Sequence, residues 1–378
     1  MAPMLWERFK ADFRDVTPRL LATLLHPSQP GILSHVREIS FIKSPHSTTE
    51  EEHLRSVISA IPQDRIRRFA SEHKVSTLTL QVLLRSQHKI DCLHVLSDFT
   101  TPGLSKPSHI DSQEQDAWTG SSLPEVSELL LDIQPRKSSY ERILQDLRTI
   151  SRYSPKIKCL TLEMVSSEGS EGTTLSEVLR QDEEPCLFPN LTFLRLFDMN
   201  IAAKENKSIC DSFDVSRLKC LELSHCNRLI PLLEHLTSIY TRDTGDLISL
   251  IILLPTELQE PKNTIKAIDD LLMVCSKLRC LWLEFLQHGF VAKTSVLAHC
   301  QTLQTLTIGN GNSDLDSHFP VADMTELIGA CTKLRMLGVN MPVVRAQMDA
   351  FSDMSMNMNG EFAEILVISY LHYLIFSL

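Results

Sequence analysis

The side chains of this chain that could do chemistry are its cysteines, histidines and clustered carboxylates. Cys220, His225 and Cys226 fall close together, and Cys275 precedes Cys280 by five positions. Thiolate and imidazole ligands suggest zinc, but a structural zinc site needs paired Cys-x2-4-Cys or His-x3-5-His spacings. Neither group comes with a second pair, so no metal is expected. Asp182, Glu183 and Glu184 are adjacent carboxylates. General acid–base chemistry needs two carboxyls held in fixed opposition, which a charged run in a loop does not supply. No Gly-x-Gly-x-x-Gly, Walker loop or Gly-x-Ser-x-Gly occurs, and the 12 glycines are scattered. No catalytic residue and no cofactor are expected, and the chain reads as non-enzymatic.

The cysteines have another explanation in the elements around them. Leu218-Lys-Cys-Leu221-Glu-Leu223, Leu278-Arg-Cys-Leu281-Trp-Leu283 and Leu303-Gln-Thr-Leu306-Thr-Ile308 share one Leu-x-x-Leu-x-Leu spacing. Leading apolar residues recur at Val36, Ile66, Ile90, Val126, Ile157, Leu191, Leu218, Leu247, Leu278, Leu303, Leu334 and Leu371, at intervals averaging about 30 residues. Between them lie segments with helical periodicity, such as Leu54, Val57, Ile58 and Ile61, or Ile265, Ile268, Leu271 and Leu272. Residues 76–87 fit a strand template through Val75 and Leu78, but the spacing of Leu78, Val82 and Leu83 predicts a helix.

This alternation predicts an α/β fold, a leucine-rich-repeat solenoid of about twelve irregular units over 36–378, after an N-terminal helical cap over 1–35. A lone strand and helix cannot bury their apolar faces, so each unit completes its core against its neighbours. Strands stack about 4.8 Å apart and helices about 10 Å apart, which puts a parallel sheet inside a horseshoe with helices outside. Eleven strand steps give an inner arc of roughly 50 Å. Longer loops are expected near 100–122 and 166–189.

Composition fits this reading. The 378 residues carry 43% apolar and 22% charged side chains, ordinary for a folded chain, and a net charge of −10. That charge argues against nucleic acid or an anionic membrane as partner, since both need clustered Lys and Arg. The densest basic cluster, Arg65, Arg67 and Arg68, reads as a solvated strand edge. Residues 1–10 hold no apolar run suited to a secretory signal, so the ten cysteines are expected as reduced thiols in the cytoplasm or nucleus. Asn190 and Asn206 match the glycosylation spacing only by chance on that reading. The apolar run 365–378 is short for a membrane span and contains Leu371-His-Tyr-Leu374-Ile-Phe376, a further repeat strand whose unshielded edge would favour self-association.

Cys275, Cys300 and Cys331 each stand three residues before a leading leucine, and Cys226 follows Leu223 at a turn. This resembles the cysteine-containing repeats of fungal F-box/leucine-rich-repeat proteins. The N-terminal Ala2-Pro-Met-Leu-Trp-Glu-Arg-Phe, Leu20-Leu-Ala-Thr-Leu-Leu-His-Pro and His35-Val-Arg-Glu-Ile-Ser-Phe41 look like the segment that follows the F-box in that family. The resemblance implies the substrate-binding part of a ubiquitin ligase receptor. A Skp-type adaptor is expected as partner only if an F-box lies upstream; the alternative is a free-standing scaffold or inhibitor. On either reading the partner is a protein.

Alternation along each strand sends the residues between the leucines to the concave face. Those positions are Cys92, His94, Leu130, Cys159, Phe193, Arg195, Cys220, Glu222, Ile251, Cys280, Trp282, Glu284, Thr305, Thr307 and Tyr373. Phe193, Arg195, Glu222, Trp282 and Glu284 are the candidate partner-binding residues, because aromatics and arginine dominate interface hot spots.

Overall fold

A computed structural model of the protein describes residues 7–11, 33–41, 48–75, 77–97, 125–133, 156–164, 188–201, 213–242, 245–256, 258, 260–285, 289–309 and 321–339. Twelve strands among these residues form one sheet in sequence order. They are β1 (Arg8–Ala11), β2 (Glu38–Phe41), β3 (Arg68–Lys74), β4 (Cys92–Ser97), β5 (Glu128–Ile133), β6 (Cys159–Met164), β7 (Phe193–Phe197), β8 (Cys220–Ser224), β9 (Ser249–Leu253), β10 (Cys280–Glu284), β11 (Thr305–Gly309) and β12 (Met336–Val339). The helices are α1 (Thr48–Ala60), α2 (Thr77–Ser86), α3 (Ile230–Arg242), α4 (Pro261–Val274), α5 (Lys293–Leu297) and α6 (Val321–Ala330). Parallel neighbours in sequence order, with helices in the connections, are the architecture of a leucine-rich-repeat solenoid. The contacts divide the chain into two units, Met1–Phe193 with Asp211–Asp214, and Leu194–Cys210 with Val215–Leu378.

Every strand from β2 to β12 starts two residues after a leading apolar position, and one backbone arrangement explains why. In the second unit the N–H groups of Arg279 and Cys280 both donate to the Ile248 carbonyl, those of Gln304 and Thr305 to Arg279, and those of Arg335 and Met336 to Gln304. The first unit repeats it, with Arg67 and Arg68 on Arg37, Asp91 and Cys92 on Arg67, and Ser127 and Glu128 on Asp91. Each carbonyl uses both lone pairs on consecutive amides of the next repeat, which fixes the register at the start of these strands. Leu221, Leu250, Leu281, Leu306 and Leu337 consequently form one in-register row, and all are buried.

The first unit holds β1 to β6, with α1 packed on α2. Gln87 is buried between α2 and the next strand. Its Oε1 accepts from the Arg65 and Ile66 amides at 2.8 and 3.0 Å, and its Nε2 donates to the Pro62 carbonyl at 3.2 Å. One side chain thus satisfies the turn that leads into β3. Residues 77–86 are helical, as the spacing predicts. The strand Arg8–Ala11 differs from the helical cap expected over 1–35: it pairs with β2, Phe9 opposite Ile39, and extends the sheet. Four residues are too few for a period to declare itself, and hydrogen bonding to a neighbour decides them. The loop expected near 100–122, residues 166–187 of the loop expected near 166–189, and the strand expected from Leu371 lie outside the described residues.

In the second unit α3 packs on α4, and α5 on both α4 and α6. Helix α4 starts at Pro261, whose missing N–H falls where no intrahelical partner exists, and buries Ile265, Ile268, Leu271 and Leu272. Cys275 ends it in extended conformation, its amide donating to the Leu271 carbonyl. Cys275 and Cys331 are buried at this handover, whereas Cys300 is half-buried.

His299, 1% exposed, lies under α4. Its Nε2 is 2.9 Å from the Leu272 carbonyl, which can only accept, so Nε2 carries the proton. Nδ1 has no hydrogen-bond partner among the described residues. Burial holds this imidazole below its ordinary pKa of 6.5, because charging it would put a second N–H where nothing accepts it. The unfolded chain therefore binds a proton that the folded chain resists, and stability falls as pH drops through 6.5.

Two outcomes follow for stability. Leu221→Ala or Leu281→Ala should lower the free energy of urea unfolding by about 2 to 5 kcal/mol, since each empties a closed position in the row. Equilibrium unfolding at pH 7.5 and 5.5 should show a smaller acid loss in His299→Gln than in the parent protein; equal losses would show that His299 does not drive it.

Candidate functional site

Alternation gives the sheet two chemically different faces. The leucine row faces the helices and is closed. On the other, open face the next row of the second unit reads Glu222, Ile251, Trp282, Thr307 and Gly338 in register. Trp282 is 42% exposed there, while Leu281 beside it is fully buried. A large aromatic left in water between strand neighbours Ile251 and Thr307 makes no evident contribution to the core.

At one end of this face Arg195 Nη2 meets Glu222 Oε1 at 2.6 Å, and Ser224 Oγ donates to the same oxygen at 3.2 Å. The Glu222 side chain is only 9% exposed against 43% for Arg195. A carboxylate so enclosed needs charged and hydrogen-bonding partners, and it has both. Glu222 therefore differs from its expected role as an outward contact. It sits beneath Arg195 and holds the guanidinium on the face, with Arg195 Nε unbonded among the described residues.

Glu284 lies two residues beyond Trp282 on β10 and so on the same face. It is half-buried, and that burial pushes its carboxyl above the usual range against the opposing pull of His225. His225 follows β8 in left-handed conformation, φ 54°, and its ring stands edge-on to Phe197 with centroids 5.4 Å apart. Its amide donates to the Leu253 carbonyl at 2.7 Å. Phe193, at the start of β7, belongs to the first unit and is half-buried.

The first unit's open face is built from charge. Arg8, Glu38, Arg68, Cys92, Glu128 and Cys159 form one row. Arg8 pairs with Glu38 at 2.9 Å, and Arg68 reaches past Cys92 to Glu128 at 3.3 Å. Arg67 lies 3.7 Å from Asp91. Arg67 and Arg68 of the basic cluster are thus matched by carboxylates at solvated positions, where each pair contributes little stability. The Cys92 thiol is pushed up to about 11, chiefly by burial and against the effect of Arg68.

The remaining candidates for chemistry do not converge. Cys226 is enclosed, its Sγ donating to the Leu196 carbonyl at 3.3 Å and the Ser224 carbonyl at 3.4 Å, and burial pushes the thiol up to about 12. Burial does the same to Cys275. Thiols in this state are poor nucleophiles and poor metal ligands. Cys220 lies half-buried in the strand row, apart in role from both Cys226 and His225. Among the described residues no three His, Cys, Asp or Glu side chains are grouped to hold a metal ion, and no helix is long and apolar enough to cross a membrane.

Cys92, His94, Leu130, Cys159, Phe193, Arg195, Cys220, Ile251, Cys280, Trp282, Glu284, Thr305 and Thr307 all have solvent access, as the alternation predicts, and Tyr373 lies outside the described residues. The alternating reading missed Met336, 55% exposed at the same strand position as Cys280, and the row Arg8, Glu38, Arg68 and Glu128. For all of these except Arg8, the two-residue offset from a leading apolar residue was the signal available. His225 and Phe197 had none, since a left-handed residue after a strand leaves no mark in a pattern of apolar positions.

No family model and no curated protein matches this chain. Among solved structures, the leucine-rich-repeat-containing protein LegL7 from Legionella pneumophila is similar over 86% of this chain and 97% of its own, with 14% sequence identity and a TM-score of 0.47. The assignment of the fold rests on the ladders and shared carbonyls described above, with LegL7 as a loose likeness beside them.

Proposed function

We propose that this chain is a non-enzymatic protein-recognition module that binds its partner on the open face of the second unit. Trp282 is the observation that carries the reading. The fold closes every leucine of β10 while leaving the indole between them in water, and at one end of the same sheet face Arg195 is held by Glu222, whose carboxylate also accepts from Ser224. Buried aromatic and arginine anchors dominate interface energetics, and an arginine already held in place loses less freedom when a partner arrives. Arg195, Trp282 and Glu284 are the proposed contacts, with Glu222 as the residue that positions Arg195. Phe193 is a separate proposed contact on the first unit.

The finer reading is a substrate receptor of an F-box-type ubiquitin ligase, acting in the cytoplasm or nucleus. Its support is the resemblance of the cysteine-bearing repeats and of the N-terminal segment to that family. The alternative is a free-standing scaffold or inhibitor. Co-purification of the native full-length protein with a Skp-type adaptor would support the ligase role, and its absence would leave the scaffold.

For a partner recovered with the full chain, Trp282→Ala should weaken binding at least about tenfold by calorimetry, equivalent to about 1.4 kcal/mol, with the urea midpoint little changed. Met273→Ala, exposed on α4, should leave affinity unchanged. Equal affinity of the Trp282 variant and the parent would remove the open face as the binding surface.

A further inference from the structure

The open face of the second unit has an unbalanced charge beside its exposed aromatic. Glu284 has neither a hydrogen bond nor an ion pair from its carboxylate among the described residues, although it is half-buried. Arg195, the cation on this face, is committed to Glu222 at 2.6 Å. Half-burial disfavours the charge of this carboxylate, the pull of His225 offsets that only in part, and an arriving cation would relieve the rest. Trp282, two residues before it on the same strand face, offers an indole that attracts cations over its ring. The chain's net charge of −10 adds a long-range pull of the same sign.

From this arrangement we infer that the open face of the second unit recognises a basic segment of a partner protein, an arginine or lysine side chain lying over Trp282 with its charge against Glu284. The inference rests on the protein-recognition reading and adds the chemistry of the partner. An acidic segment would meet an unpaired carboxylate and a ring face that repels anions. A purely apolar segment would bury Glu284 further without satisfying it.

The test uses the full chain as bait for a phage-displayed library of random dodecapeptides, with counter-selection on Trp282→Ala. Enriched peptides are then synthesised and titrated by fluorescence polarisation against the parent protein, Glu284→Gln and Glu284→Lys, each checked for an unchanged thermal melt. The expected result is enrichment in Arg or Lys, affinity lowered about fivefold or more by Glu284→Gln, and loss of binding when the peptide's basic residue becomes citrulline or glutamine. Glu284→Lys should select acidic peptides in its own round of panning. Should Glu284→Gln fail to fold, the citrulline substitution and weakening of parent binding by added salt carry the same information. Peptides that need Trp282 but lack basic residues, or that bind Glu284→Gln as tightly as the parent, would overturn this inference and leave the recognition surface standing. A library with no peptide distinguishing Trp282→Ala from the parent would overturn both.

Discussion

One carbonyl serving two amides sets the terms for everything else in this protein. At the start of β2 to β7 and of β9 to β12, consecutive N–H groups donate to a single oxygen of the repeat before, as Arg279 and Cys280 do to Ile248. That arrangement permits no slip, because a shift by one residue would reverse the faces of every side chain that follows. Irregular lengths between repeats, averaging about 30 residues, are therefore harmless to the sheet. They are absorbed in the connections, while the register is renewed at each of these strands.

Fixed register separates stability from recognition. The row from Leu221 to Leu337 is closed against the helices, and neighbours in it share their burial, so replacing one member should be felt by adjacent units. The opposite face is released from that constraint and holds residues a core would reject. Two solutions to open charge appear there. In the first unit, Arg8 with Glu38 and Arg68 with Glu128 neutralise each other across strands. In the second, Arg195 and Glu222 are matched but Glu284 is left beside an exposed indole.

How much of this was legible in sequence depends on whether a feature repeats. Leading residues from Val36 to Leu334 locate eleven strands to the residue, because each lies at a fixed offset from the backbone pattern that anchors it. Trp282 could be placed on the open face by counting alone. β1 could not be found this way, since Arg8–Ala11 is short and its pairing with Glu38–Phe41 decides its conformation. Glu222 was legible as an open-face position but not as a buried one, for its closure depends on Arg195 folding over it from another strand. The His225–Phe197 contact arises from a left-handed turn and a ring packing that no periodicity records.

Hydroxyl-radical footprinting of the native protein with residue-level mass spectrometry tests the two-faced sheet most directly, because it needs no substitution. Trp282 and Met336 should oxidise readily in the folded state, while Leu281, Leu283, Phe285 and Leu306 should stay protected until denaturant unfolds the chain. Protection of Trp282 equal to that of Leu281, or oxidation of the leucine row under native conditions, would contradict the division of the sheet into a closed face for stability and an open face for recognition.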